Sequence, residues 1–462
     1  MDEMNKKISD EITSASIAID VEDPPKAVKL GNYRWTICSL VFFATTINYL
    51  DRQVISLLKP FLEQQFQWSE SDYANIVFIF QLCYAAGLMG VGYVIDKIGT
   101  KLGYAVSLFM WSIAAILHAA ATSTTGFKVW RGMLGMSEAG NFPAAIKTIA
   151  EWFPKKERAL ATGLFNSGTN IGAIVAPLVV PWIAIKWGWQ WAFILTGAIG
   201  LIWLVFWFLI YEVPAKHKRL SNAEFEYINS DAENQAERGE EEKNLPKIPW
   251  IKLLGYKQTW AFFIGKFLTD PVWWFFLFWL PAFLNAEYGL IGMQVSIPLM
   301  VVYTLATVGS IWGGYIPLYF IKRGWEVPKA RKTSMLIYAF FPIPVLFSQA
   351  LGQYNMWFAV IIIGVAAAAH QAWSANIFTT VSDMFPKNAI SSVTGIGGMA
   401  GAIGGMLIAK LAGALLDHFK SMGNIKPGYY IMFLICGSAY LIAWVIMFRV
   451  LVPKMKPIEI KE

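Results

Sequence analysis

The chain is 462 residues long, 56% of them hydrophobic, with a formal net charge of +7 and three cysteines. Runs of about 20 mostly apolar residues, the length a helix needs to cross a bilayer, recur along nearly all of it, which excludes an ordinary soluble domain. A β-barrel is excluded as well, because its strands alternate polar and apolar residues while this chain holds unbroken apolar runs such as Ala192 to Ile210.

In chain order, residues 1–32 are polar, mixed in charge and without the apolar centre of a signal peptide, which predicts a disordered cytoplasmic tail. Six spans are predicted within 33–212, near 33–58, 70–95, 101–122, 126–152, 157–185 and 189–212. The longest polar interruption, 213–255, carries Lys216-His217-Lys218-Arg219 and Glu240-Glu241-Glu242 and reads as a solvated cytoplasmic linker. Inside it, Ser221 and Glu224 have the spacing of a capping box and predict a short helix. Six more spans follow within 256–452, near 256–285, 293–321, 330–350, 354–385, 389–419 and 428–451, with a second tail at 453–462. The expected fold is an all-α polytopic membrane protein, twelve transmembrane helices in two pseudo-symmetric six-helix bundles.

Lys and Arg concentrate in the N-terminal tail, in the loops with Lys97 and Lys101, Lys155, Lys156 and Arg158, in the linker, and in the loop with Arg323, Lys329, Arg331 and Lys332. By the positive-inside rule both termini are cytoplasmic and the protein sits in the plasma (inner) membrane. Topology thus accounts for the positive charge, and no nucleic-acid surface is implied. Cys38, Cys83 and Cys436 all fall in apolar spans without paired or metal-ligand spacing. Gly168 and Gly172, then Gly397, Gly401 and Gly405, have small-xxx-small spacing and read as helix-packing positions.

Shifting the chain by 232 residues lays Phe153-Pro154 on Phe385-Pro386, Thr162-Gly163 on Thr394-Gly395 and Gly172 on Gly404, a trace of duplication. Two parallel six-helix halves imply a binding site between them near the midplane. Ionisable residues inside the spans point to the same place: Asp51 and Arg52, Arg131 and Glu138, Lys266 and Asp270, and His370. Each costs roughly 2.5–3.5 kcal/mol at mid-bilayer unless paired, wet or used.

Specific motifs add a resemblance. Gly92-Tyr93-Val94-Ile95-Asp96-Lys97-Ile98-Gly99-Thr100-Lys101 resembles the loop signature of the major facilitator superfamily. Asn48-Tyr49-Leu50-Asp51-Arg52, Arg131 with Gly135 to Pro143, and Glu151-Trp152-Phe153-Pro154 resemble the anion:cation symporter family, whose members carry organic anions with protons. Gly265 to Trp274 in span seven and His370 to Asn376 in span ten are similar to the hexuronate transporters of bacteria. The resemblance covers residues 30 to 452 and implies a gating loop at Gly92, Asp96 and Gly99, with Tyr49 among the substrate contacts.

Neighbours on a helix point about 100° apart, so Asp51 and Arg52 reach different partners. Arg131 and Glu138, two turns apart on one face, suggest two crosswise pairs, Asp51 with Arg131 and Arg52 with Glu138. Read as structure, these are static charge clamps. Read as function, the Arg52 fork matches a carboxylate, and a substrate that takes Arg52 strips Glu138 of its counter-charge, so proton and anion bind together. The resemblance supports Arg52 as carboxylate anchor and Asp51 and Glu138 as proton carriers. Pro143 frees the carbonyl of Ala139 and is positioned to kink span four.

Lys266, Asp270, Trp273 and Trp274 share one face of span seven, where Lys266 and Asp270 either neutralise each other or Lys266 contacts substrate while the indoles face a pyranose ring. In span ten His370, Trp373 and Ser374 lie at i, i+3 and i+4, with Gln371 adjacent and Asn376 farther along; His370 reads as a substrate contact rather than a proton carrier. Gln81, Tyr84, Asn166, Thr169 and Asn170 offer further groups for hydroxyls. Related sugar-acid carriers more often have Gln where this chain has Thr169. The expected activity is proton-coupled import of a sugar-acid monoanion, a hexuronate such as glucuronate or galacturonate, by rocking of the two bundles. An aldonate or glucarate carrier is the nearer rival. An enzyme or receptor is disfavoured, since the chain has neither HExxH nor a nucleotide loop. No cofactor is expected beyond the proton as coupling ion, and the working unit is expected to be a monomer.

Overall fold

The computed structural model describes residues 31–230, 250–385 and 387–458. The tail before Gly31, the linker stretch 231–249 with its acidic triplet, Pro386 and the last four residues lie outside the described residues, as do the side chains of Asp96, Lys155, Lys156 and Arg158.

The first half consists of α1 (Tyr33–Phe66), α2 (Glu70–Ile98), α3 (Thr100–Leu117), α4 (Thr124–Glu138), α5 (Asn141–Trp152), α6 (Lys155–Trp187) and α7 (Trp189–Ile210). Two short helices follow, α8 (Asn222–Ile228) and α9 (Trp250–Leu253). The second half runs through α10 (Lys257–Tyr288), α11 (Ser296–Lys322), α12 (Val327–Phe340), α13 (Ser348–Gly352), α14 (Met356–Met384), α15 (Lys387–Ser421) and α16 (Lys426–Val445). Among the described residues, ten spans are long and apolar enough to cross a membrane. The other two, α1 and the broken pair α4–α5, are the ones that carry Asp51, Arg52, Arg131 and Glu138, and they pack among the ten to complete twelve.

Three boundaries depart from the sequence reading. α1 runs on past residue 58 to Phe66, carrying Pro60 inside it, and stops where Gln67 turns left-handed at φ 54°. Ser69 then opens α2 with a capping box closed by Asp72. Span four is two helices rather than one: Pro143 cannot donate to the carbonyl of Ala139, and the chain breaks at Ala139 and Gly140 before α5 begins. Span nine is interrupted in the same way by Pro342 and Pro344, which leave a 3₁₀ turn at Ile343–Phe347 between α12 and α13. At α8 Ser221 accepts from the Glu224 amide as a cap, but the Glu224 carboxylate turns away to accept from the amides of Tyr33 and Arg34 and from the Arg34 side chain. The linker helix is thereby fastened to the start of α1.

The two halves repeat one packing plan. α1 lies against α6 and α7 as α10 lies against α15 and α16, and α2 against α4 as α11 lies against α14. Glycines permit the close approaches: a Cβ on Gly172 would strike the carbonyl of Thr46, and one on Gly313 would strike Ala372. The halves meet along α2 with α15, α6 with α11, and α1 with α10. At the face opposite the chain ends this seam is tied. Asp417 of α15 accepts from the amides of Glu70 and Ser71 at 2.7 and 2.8 Å, Tyr73 donates to the Phe278 carbonyl, and Lys420 pairs with Glu63. Toward the chain-end face the same helices part. Gly90, Gly163, Gly314 and Gly398 have nothing within 4 Å of a Cβ position, and Met89, Leu164 and Leu318 are exposed.

Candidate functional site

Where the seam parts, near the middle of the spans, a cavity of about 380 Å³ opens between the halves. Tyr49, Tyr84, Phe142, Asn166 and Thr169 of the first half face Lys266, Asp270, Trp273, Trp274, Ser310, His370, Gln371, Ser374 and Phe378 of the second. Most of the residues singled out from sequence thus converge from α1, α2, α6, α10 and α14. Phe142, Ser310 and Phe378 escaped that reading. Phe378 could have been found, since with His370 and Ser374 it continues an i, i+4, i+8 row on α14. Nothing local distinguished Ser310 in its apolar helix.

In α10, Lys266 and Asp270 sit one turn apart and form an ion pair at 2.7 Å, the local neutralisation that their spacing allows. Both still line the cavity, and the Lys266 ammonium lies 4.6 Å from the Phe378 ring centroid. A Cβ on Gly401 would strike the Asp270 carboxylate, so the glycine face of α15 seats this acid. Trp273 stacks on His370 at 5.3 Å with an interplanar angle of 8°, and His370 Nδ1 is 2.8 Å from the Tyr440 hydroxyl. The imidazole is therefore held as part of the wall.

Of the residues assigned to substrate contact from sequence, Arg52, Trp373 and Asn376 do not line the cavity, nor do Gln81 and Asn170 among the further groups offered for hydroxyls. Asn376 donates to the carbonyls of Gly313 and Ala372, tying α14 to α11, and it is buried. Trp373 is fully buried with its ring packed edge-on against Tyr440. Helical spacing placed both on the histidine's helix, but their angular positions turn them into the second bundle.

Behind the first-half wall lies a sealed charge cluster. Arg52 Nε donates to Glu138 Oε2 at 2.9 Å, and Nη2 stands 2.8 Å from the same oxygen in an ion pair that joins α1 to α4. Arg52 Nη2 also reaches Asn48 Oδ1 at 3.2 Å, while the second Glu138 oxygen has no hydrogen-bond partner among the described residues. Four rings surround the guanidinium: Tyr49, Phe80, Tyr84 and, from the other half, Trp274, at 4.7 to 5.7 Å. Arg52 is 1% exposed and does not line the cavity; the rings of Tyr49, Tyr84 and Trp274 stand between. The crosswise partner expected for Asp51 is not in contact. Arg131 instead donates to the Arg52 carbonyl at 2.6 Å and lies over the rings of Phe80 and Phe278. Asp51, rotated about 100° from Arg52, turns to the side of Thr196 in α7, and neither of its oxygens has a hydrogen-bond partner among the described residues.

The loop signature is remote from the cavity. Gly99 joins α2 to α3 at φ +86°, a conformation only glycine adopts without strain, and Gly92 stands in open space on α2. Thr100 next to it donates to Glu151 at 2.6 Å, as does Tyr211.

A family model described as Major Facilitator Superfamily matches residues 41–409. A hexuronate transporter of Escherichia coli (strain K12) is 31% identical over 390 residues, 84% of this chain and 89% of that protein. A galacturonate transporter of Dickeya chrysanthemi is 36% identical over 294 residues, 64% of this chain and 84% of that protein. The fold is similar to the crystal structure of a bacterial homolog of the human lysosomal transporter Spinster in an inward-facing, occupied conformation, with TM-score 0.73 and 17% identity over 93% of this chain and 100% of that one.

Proposed function

The chain belongs to the Major Facilitator Superfamily, and on that premise we propose that it is a proton-coupled symporter importing a sugar-acid monoanion, a hexuronate such as glucuronate or galacturonate. It is a transporter and not an enzyme. One observation carries the reading: the cavity between the halves combines flat aromatic walls, amide and hydroxyl groups and an ammonium, and it backs onto a buried arginine–glutamate pair. Indole and phenol faces suit the apolar face of a pyranose. Asn166, Thr169, Ser310, Gln371 and Ser374 suit its hydroxyls. Relatives whose names specify hexuronate and galacturonate supply the substrate class.

The coupling follows from competition for Arg52. In this reading, the state in which Glu138 holds Arg52 is the one that follows release of the substrate. In the opposite orientation the substrate carboxylate passes the Tyr49, Tyr84 and Trp274 rings and takes the guanidinium as a fork. Glu138, left buried without its counter-charge, then takes a proton, and the loaded protein rocks. On the chain-end side the proton leaves, Glu138 recaptures Arg52, and the anion is expelled. Both termini lie in the cytoplasm in this reading, which makes the direction import.

The test is accumulation of labelled glucuronate and galacturonate in vesicles against a concentration gradient, with an imposed pH gradient and a competition panel of gluconate, galactonate and glucarate. Uphill accumulation that collapses with the pH gradient, and is blocked best by hexuronates, is expected. Stronger block by an aldonate or by glucarate reassigns the substrate. Accumulation indifferent to the pH gradient removes the proton.

A further inference from the structure

The chain-end face carries two basic grooves, one in each half, that are built alike. Near the end of α7 the Trp207 indole donates to the carbonyl of Lys101, in the first turn of α3, at 2.9 Å. Near the end of α16 the Trp444 indole donates to the carbonyl of Lys332, in the second turn of α12, also at 2.9 Å. Each clamp fixes the sixth span of its half to the third and leaves lysines at the bilayer edge.

Beside the first clamp is a cleft of about 280 Å³ lined by Lys101, Lys216, Lys218 and Arg219, with Glu212 as its carboxylate, 2.8 Å from Lys101. Beside the second is a cleft of about 390 Å³ lined by Lys329, Lys332 and Arg449, with no carboxylate in its wall among the described residues. Lys332 Nζ is held by the Pro453 carbonyl at 2.6 Å, and the Arg449 guanidinium lies 5.6 Å from the Trp444 centroid. Each groove also has an apolar side at the end of a span. Phe208 and Leu209 line the first and are exposed; Leu336, Trp444 and Phe448 line the second, and Val445 and Val450, their neighbours in the chain, are exposed. None of these residues lines the transport cavity.

Clustered cations attract an anion. Cations joined to an exposed apolar span end favour one that carries acyl chains, because the chains then cover surface that a soluble anion would leave untouched. We propose that each half holds a headgroup site for an anionic phospholipid of the leaflet adjoining the chain-end face, Lys329, Lys332 and Arg449 binding the phosphodiester in the second half and Lys216, Lys218 and Arg219 in the first. The assignment to a lipid rather than to free phosphate rests on the apolar half of each groove. Occurrence of the same clamp in both halves argues against an accident of surface charge.

Native mass spectrometry of the full-length protein in neutral detergent, titrated with phosphatidylglycerol or phosphatidylcholine, tests this. Wild type should retain two phosphatidylglycerols in preference to phosphatidylcholine. Lys329→Gln/Arg449→Gln should weaken one site, and Lys218→Gln/Arg219→Gln the other, each on the order of tenfold or more. Photo-crosslinking of wild type with a diazirine phosphatidylglycerol, which needs no variant to fold, should label peptides containing Phe448 and Leu209. Equal retention by variants and wild type, equal retention of the two lipids, or no label at those peptides overturns the proposal. Displacement of the lipid by inorganic phosphate at matching concentration assigns the grooves to a soluble anion and overturns it as well.

Discussion

The two halves bring ionisable groups to the same cavity by opposite designs. In the first half Arg52 and Glu138 come from different helices, are 1% exposed, and are walled off by aromatic rings. In the second half Lys266 and Asp270 come from one helix, one turn apart, and stand in the cavity wall. A dry pair between helices is sensitive to any change in either partner's charge, because breaking it strands a buried ion at about 3–5 kcal/mol. A local pair in the cavity wall stands where an entering ligand meets it directly, although Lys266 is itself buried. The first arrangement suits coupling and the second suits recognition. Trp274 connects them, since it lines the cavity from the second half and also completes the ring cage around Arg52.

The largest effect that would break this contrast is expected at Glu138. Glu138→Gln should abolish accumulation driven by a pH gradient while exchange of substrate down its own gradient persists. Gradient-driven accumulation at wild-type levels in that variant would make the first-half pair a static clamp. Next comes Arg52→Lys, which keeps the charge but loses the fork to Glu138 Oε2. Uptake should fall roughly tenfold to a hundredfold, the equivalent of about 1.5–3 kcal/mol for a charge-assisted bond. Near-normal uptake would mark Arg52 as a replaceable counter-ion.

A double-mutant cycle sharpens the second-half side. Lys266→Ala should lower thermal stability and weaken hexuronate binding, and adding Asp270→Ala should restore the stability, with a coupling of about 1–3 kcal/mol, without restoring the binding. If binding recovers together with stability, Lys266 belongs to the scaffold and the contrast loses its recognition arm. The smallest effect is expected at Asn376. Asn376→Ala removes two bonds to backbone carbonyls and should cost about 1–2 kcal/mol of stability with the Michaelis constant unchanged, whereas Gln371→Ala should raise that constant. A several-fold rise for Asn376→Ala would return this residue to the cavity.

Sequence by itself marked the apolar spans and the ionisable residues that lie inside them. Apolar length sets what crosses a bilayer, and ionisable residues within such lengths must be paired, wet or used, so Asp51, Arg52, Arg131, Glu138, Lys266, Asp270 and His370 stood out from the sequence. Pairs within one helix were legible too, because 3.6 residues per turn makes Lys266 meet Asp270. Breaks were less so: Pro143 and Pro342 mark where a helix is weak, while the packing around them decides whether it bends or stops. Only the tertiary structure decided what each helix face meets. Periodicity fixes the angle at which a side chain leaves its helix but not which neighbour stands at that angle. Asp51 therefore turned to the α7 side instead of to Arg131, Trp373 and Asn376 turned into the second bundle, and Ser310 arrived in the cavity unannounced. The cage around Arg52 is the clearest case. Its fourth ring, Trp274, comes from the other half of the chain, and no spacing along the sequence encodes an approach that exists only where two bundles meet.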